Sequence, residues 1–267
     1  MNGNIKVGSV VGVLEPLVGV EYGQPSNNIF KGKVKLLDKT ETICFIKLLP
    51  SNKELAIELF CAKLANNLNL QVPQPILIAI GKNRHSSIRT NCYAYGYEWL
   101  TSIPFASKIG KLPIGHPSVP PMAIFDELIL NDDRHYGNIL IENKDNKIRH
   151  YIDHEQALQI NSLSHYFEAI NRNWLVKELI EHKAIELSTL FARSNFYDNL
   201  SDSLYNEVTR GIASLVNTCF DECSEVFRKA KLSVVDFTGE RDFLINRGGQ
   251  LKDVVAKQIE KRGKEKK

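Results

Sequence analysis

"DRHYGNIL" (133–140) and "HYIDHEQAL" (150–158) decide how this chain is read. An apolar segment, "MAIFDELIL" (122–130), places Met122, Phe125, Leu128 and Ile129 at helical spacing and delivers the chain into "NDDRHYGN". "NILIE" and "IRHYID" then read as a hairpin around "NKDNK" (143–147). The loop therefore carries Asp133 and Asn138, and the returning strand brings Asp153 beside them. Acids and amides packed between apolar segments need partners, because burying them unpaired is costly. Two oxygen ligands of different charge near a third carboxylate suit Mg²⁺, a hard cation that takes few protein groups alongside phosphates.

Upstream, "VGSVVGVL" (7–14), "NIFKGKVKLL" (28–37) and "ETICFIKLL" (41–49) read as strands, with "DKTE" (38–41) as a hairpin turn. Between the first two lies "EPLVGVEYGQPSNN" (15–28), which suits either a loop covering phosphates or an ordinary turn. Lys47 projects from an apolar run. It either snorkels at a strand end or meets an acid. "SNKELAIELFCAKLANNL" (51–68) opens with the capping box Ser51-x-x-Glu54 and keeps Ile57, Cys61, Leu64 and Leu68 on one helical stripe. Glu58 shares its face with Leu55, Cys61, Ala62 and Ala65, so this carboxylate calls for a cation. Lys47 is the nearest candidate in sequence, and an ion pair between the two is expected. "LNLQVPQPILIAI" (68–80) and "NCYAYGYEWL" (91–100) supply two more strands. "SKIGKLPIGHPSVPP" (107–121), with four prolines and two glycines, reads as a loop, and the boundary between two lobes falls between about 99 and 121.

Asp-x-x-x-x-Asn, an apolar strand, then Asp after a hairpin is similar to the catalytic loop and metal-binding Asp of protein-kinase-like enzymes. The form "DRHYGNIL…YIDHEQA" most resembles the small HipA-like kinases, and "DRHxxN" also resembles the phosphatidylinositol kinases. The order of a strand Lys, a helix Glu and "LNLQVPQP" agrees, so the resemblance covers residues 28 to 160 or thereabouts. It implies an α+β, bilobal protein-kinase-like fold. A β-rich nucleotide-binding lobe with one main helix (1–100) would be followed by a hinge and Pro-rich connection (101–121), a mainly helical catalytic lobe (122–251) and a basic tail (252–267).

By this resemblance Asp133 orients or deprotonates an acceptor hydroxyl, and it is preferred to Asp132 because only Asp133 has Asn five residues on. Asn138 and Asp153 hold Mg²⁺, Lys47 fixed by Glu58 contacts the phosphates of ATP, and Glu98, Trp99 and Leu100 form the hinge that meets adenine. His135 either aids catalysis or braces the loop, and Arg134 braces it. The implied activity is transfer of the γ-phosphate of Mg-ATP to a hydroxyl on a protein Ser or Thr. A kinase-like nucleotide-binding module without catalysis, or a lipid or small-molecule kinase, are the alternatives. The sequence departs from typical protein kinases in having His154 and Glu155 after the metal Asp, where Phe-Gly is usual, and in lacking G-x-G-x-x-G.

Composition is ordinary for a soluble globular chain, with 43% hydrophobic and 24% charged residues. No run approaches the roughly 18 apolar residues of a membrane helix, and the N-terminus lacks the pattern of a secretory signal. Five cysteines at 44, 61, 92, 219 and 223 do not suggest a disulfide framework, which fits a reducing cytoplasm. Cys219 and Cys223 could share a helix face as metal ligands but suit packed thiols better. The net charge is +3 overall and +4 in residues 252–267, hence −1 elsewhere. A general nucleic-acid binder is therefore excluded, with weak contact through the tail left open. Residues 162–230 read as mostly amphipathic helix, with Leu175, Leu179 and Ile185 in one packed stretch and Ile212, Leu215 and Val216 in another.

Overall fold

The computed structural model describes residues 4–17, 28–100, 103–104, 119–131, 138–141, 148–155, 157–158, 202–233 and 238–265. The chain has mixed α and β content and divides into two compact units. The first gathers residues 1–110, 137–155 and 221–235; the second gathers 111–136, 156–220 and 236–267.

The first unit is built on strands β1 (Lys6–Val10), β3 (Ile29–Leu36), β4 (Glu41–Lys47), β5 (Ile76–Ile80) and β6 (Cys92–Glu98), with a short β2 (Glu15–Pro16) beside β3. Their pairing runs β1-β5-β6-β4-β3 and returns from β3 to β1, so the sheet closes on itself as a five-stranded barrel. Only β1 with β5 is parallel. Period-two alternation in β3 turns Phe30, Val34 and Leu36 inward and Lys31, Lys33 and Lys35 outward. Cys44 and Ile46 of β4 and Ile76, Ile78 and Ile80 of β5 complete the filled interior. Gly96 of β6 is required there, because a Cβ would collide with Ile78 and with the carbonyl of Phe45. The β3–β4 turn forms where "DKTE" was read: Lys39 has φ 72°, and Asp38 Oδ1 accepts from the Thr40 N–H at 2.9 Å.

Helix α1 (Asn52–Asn67) joins β4 to β5. Ser51 caps it, its Oγ accepting from the Glu54 N–H at 3.2 Å and donating to Glu54 Oε2 at 2.9 Å. The single apolar stripe read from sequence is too narrow, since every residue from Leu55 to Ala65 is buried. The reason is tertiary: α1 packs on β6 and also meets residues 221–233. Lys63 Nζ lies 3.2 Å from Glu222 Oε2, and Asn52 Nδ2 donates to Ser233 Oγ at 3.2 Å. Glu222 also accepts from the Ile5 N–H, and the Tyr93 hydroxyl donates to the Ala230 carbonyl at 2.8 Å. A small antiparallel sheet of β7 (Ile103–Pro104), β8 (Ile139–Ile141) and β9 (Ile148–Tyr151) belongs to the same unit, as the hairpin reading of 138–153 required.

The second unit packs α2 (Val119–Ile129) against α3 (Asp202–Thr209) and α5 (Thr238–Glu265). Met122, Phe125, Leu128 and Ile129 are all fully buried, as their spacing required. Helix α2 begins inside the Pro-rich stretch read as a loop, because prolines are tolerated in a first helical turn, where N–H groups lack intrahelical partners. Helix α4 (Ile212–Lys229) has residues 212–220 in the second unit and 221–229 in the first. Ile212, Val216, Cys219 and Cys223 line its buried face, and all five cysteines are free thiols. The basic tail continues α5 to Glu265. Leu175, Leu179 and Ile185 lie outside the described residues. No described helix is long and apolar enough to cross a membrane.

Candidate active site

Lys47 is the last residue of β4, where alternation with the inward Ile46 puts its side chain on the barrel's outer surface. There it is paired in register with Tyr95 of β6. The second half of the site arrives by another route. The β8–β9 register sets Ile139 against Tyr151, and the Ile152 N–H donates to the Asn138 carbonyl at 3.0 Å, so Asn138 and the approach to Asp153 lie side by side. The Tyr151 N–H donates to the Gln71 carbonyl at 2.7 Å, tying this hairpin to the segment after α1. Asp153 itself has φ 66°, an uncommon left-handed conformation for a residue with a Cβ.

These elements bring Lys47 to Asp153 across 106 residues of sequence, Nζ to Oδ1 at 2.9 Å. Glu155 Oε2 lies 2.8 Å from the same Nζ. Side-chain exposures of 14% for Lys47, 28% for Asp153 and 20% for Glu155 describe a largely buried cluster that still reaches solvent. Burial works against the ammonium, but Asp153, Glu58 and Glu155 outweigh it and hold the Lys47 pKa well above that of an ordinary lysine. Burial raises the Glu155 carboxyl, against the pull of Lys47.

The ion pair expected between Lys47 and Glu58 is not formed. Glu58, fully buried on α1, instead accepts from the His154 backbone N–H at 2.6 Å through Oε2, while Oε1 lies 3.5 Å from His154 Nδ1. Oε1 has no hydrogen bond among the described residues. Glu58 therefore acts on Lys47 through its field and through its bond to the backbone N–H between Asp153 and Glu155. Sequence reading named the right acid for this neighbourhood but the wrong direct partner, because the competing carboxylates lie more than a hundred residues away.

The hinge positions are at the end of β6. Glu98 is half-exposed and paired with Lys6 at 2.7 Å. The Trp99 N–H is committed to the Ile43 carbonyl at 2.7 Å, and Lys31 sits 4.8 Å from the Trp99 ring centre. Leu100 is partly buried. Asp132, Asp133, Arg134 and His135 lie outside the described residues.

No protein-family model matches the chain. No curated protein matches it either. Among solved structures, it is similar to the Helicobacter pylori proinflammatory kinase CtkA, with TM-score 0.49 and 15% identity over 94% of this chain and 97% of that one. It also matches the Rio2 kinase from Chaetomium thermophilum in its ADP/Mg²⁺-phosphoaspartate complex, with TM-score 0.29 and 14% identity over 78% of this chain and 72% of that one.

Among the described residues no group of three or more His, Cys, Asp or Glu could hold a metal ion. The metal donors expected from sequence, Asn138 and Asp153, are one amide and one carboxylate. Two protein oxygens suit Mg²⁺ where a polyphosphate completes its shell. Sequence reading noted Glu155 only as a departure from the kinase pattern; its signal was a carboxylate two residues after the metal candidate. Two tyrosines were missed altogether. Tyr95 is 2% exposed with no hydrogen bond to its hydroxyl among the described residues, and Tyr97 stacks on Phe45 at 4.7 Å. Burial first, then nearby Glu58 and Asp153, raises both phenol pKa values. The pair flanks Lys47 with apolar surface that strengthens every charge interaction there.

Proposed function

We propose that this chain is an ATP-dependent phosphotransferase of the HipA-like kind, moving the γ-phosphate of Mg-ATP to a hydroxyl on a protein Ser or Thr. The observation that supports it most is the meeting of Lys47 with Asp153 at 2.9 Å, with Asn138, just ahead of β8, bonded through its carbonyl to the Ile152 N–H. A cation for phosphates beside a hard-donor pair is what phosphoryl transfer needs, since that reaction asks a protein mainly to position groups and stabilise charge. Lys47 would hold the phosphates, and Glu58 would keep the Asp153–Glu155 segment in place through its bond to His154. Asn138 and Asp153 would hold Mg²⁺, which neutralises phosphate charge when bound. Asp133 would orient the acceptor hydroxyl and take its proton, with His135 beside it. Adenine would lie toward Glu98, Trp99 and Leu100 and draw on groups other than the Trp99 N–H, which is already engaged. A cytoplasmic setting suits the free thiols.

Calorimetry with Mg-ATP and a γ-labelled transfer assay on three variants test the roles. Asp153→Ala and Asn138→Ala should weaken binding and turnover together. Asp133→Ala should keep affinity within about twofold while turnover falls about a thousandfold, equivalent to about 4 kcal/mol of transition-state stabilisation. Parent-like binding and turnover in all three would make these residues structural and end the kinase reading.

A further inference from the structure

We propose that Glu155 is an internal competitor for the phosphate seat on Lys47, so that only a phosphate-bearing ligand can take the seat. The inference rests on the reading of Lys47 as the phosphate-binding cation. The geometry singles out Glu155 among the three acids. Glu58 is spent on the His154 N–H, at 2.6 Å. Asp153 contacts Lys47 at 2.9 Å and belongs with Asn138 as a metal donor. Glu155 Oε2 approaches the ammonium at 2.8 Å and has no place in that donor pair.

An ammonium offers three donors; one is donated to Asp153, and Glu155 Oε2 holds a second side of the charge as an ion pair. A phosphate oxygen bound to the same Nζ would press its charge against Glu155 in a poorly screened site, where like charges repel strongly. The carboxylate, 20% exposed, has a path to water once displaced. Removing it leaves Lys47 compensated by Asp153 and by the field of Glu58. The contact thereby selects by charge. Adenosine carries nothing that can displace Glu155, whereas a triphosphate carries a chain of anionic oxygens.

The test compares wild type with Glu155→Gln by calorimetry, using tripolyphosphate, ATP in EDTA, and adenosine as probes. Glu155→Gln should bind tripolyphosphate and metal-free ATP at least about tenfold more tightly, about 1.4 kcal/mol, and adenosine within about twofold of wild type. Adding Lys47→Met to Glu155→Gln should erase the gain, because the competition acts through that ammonium. Absence of a gain for tripolyphosphate overturns the proposal. So does an equal gain for adenosine, or a gain that survives Lys47→Met. If wild type binds Mg-ATP yet Glu155→Gln gains nothing, the kinase reading stands and this inference fails. If wild type shows no affinity for Mg-ATP while Glu155→Gln gains tripolyphosphate through Lys47, the competition stands and the nucleotide reading fails.

Discussion

Lys47 in the first unit and Arg247 in the second are both cations withdrawn from water, and they are supplied with negative charge very differently. Arg247 on α5 is 2% exposed; its Nε donates to the Glu127 backbone carbonyl at 2.7 Å and its Nη2 lies 3.8 Å from Glu127 Oε2. Burial outweighs that single carboxylate and pushes the guanidinium down to about 10. At Lys47 three carboxylates, Asp153, Glu58 and Glu155, outweigh burial and push the ammonium up. One cation is undersupplied and closed off; the other is oversupplied and still open to solvent. A buried ion pair that serves only packing gains nothing from surplus like charge, which repels itself. Surplus carboxylate around an accessible lysine makes sense where further positive charge and phosphate arrive together.

The largest expected effect contrasts the two clusters directly. Glu127→Gln leaves Arg247 buried without its counter-charge and should lower unfolding free energy by about 3–5 kcal/mol. Asp153→Asn, with Lys47 still compensated by Glu155, should lower it by about 1 kcal/mol or less. Urea denaturation of both variants checks this, and equal losses would erase the distinction. A smaller effect is expected from Ser51→Ala, which removes the cap of the helix carrying Glu58. It should cost about 1 kcal/mol and raise amide exchange in the first turn of α1, leaving α2 unaffected.

The gentlest probe is alkaline pH. Burial in the barrel pushes the Cys44 thiol from 9.0 up to about 12, so the unfolded chain loses this proton first. Its contribution to stability is therefore full below about 9 and lost as pH rises toward 12. Arg247 runs the other way, because its folded value of about 10 lies below that of an ordinary guanidinium, and its contribution to stability rises with pH above about 10. Unfolding free energies at about pH 8 and pH 10 should show a fall in wild type that is shallower in Cys44→Val. An unchanged slope would mean that Cys44 ionises in the fold as it does in water.

The strand alternation of "FKGKVKL", the capping box at Ser51 and the helical spacing of Met122 to Ile129 were legible because local periodicity and capping chemistry carry them. So were the hairpin ending at Asp153 and the grouping of Lys47 with acids, since a lone cation in an apolar run needs compensation wherever it lies. Three things were decided by tertiary structure alone. Closure of the barrel through β1 pairs strands that no local pattern relates. Burial of α1 on nearly all sides depends on residues 221–233, far along the chain, so its own amphipathicity understates its environment. The partner of Lys47 was settled when Glu58 took the His154 N–H and left the ammonium to Asp153 and Glu155. The apolar run around Lys47 and the buried-face Glu58 pointed to an acidic partner, because desolvation favours one; only the folded chain decided that there would be one and which carboxylate it was, because several of equal charge compete and geometry chooses among them.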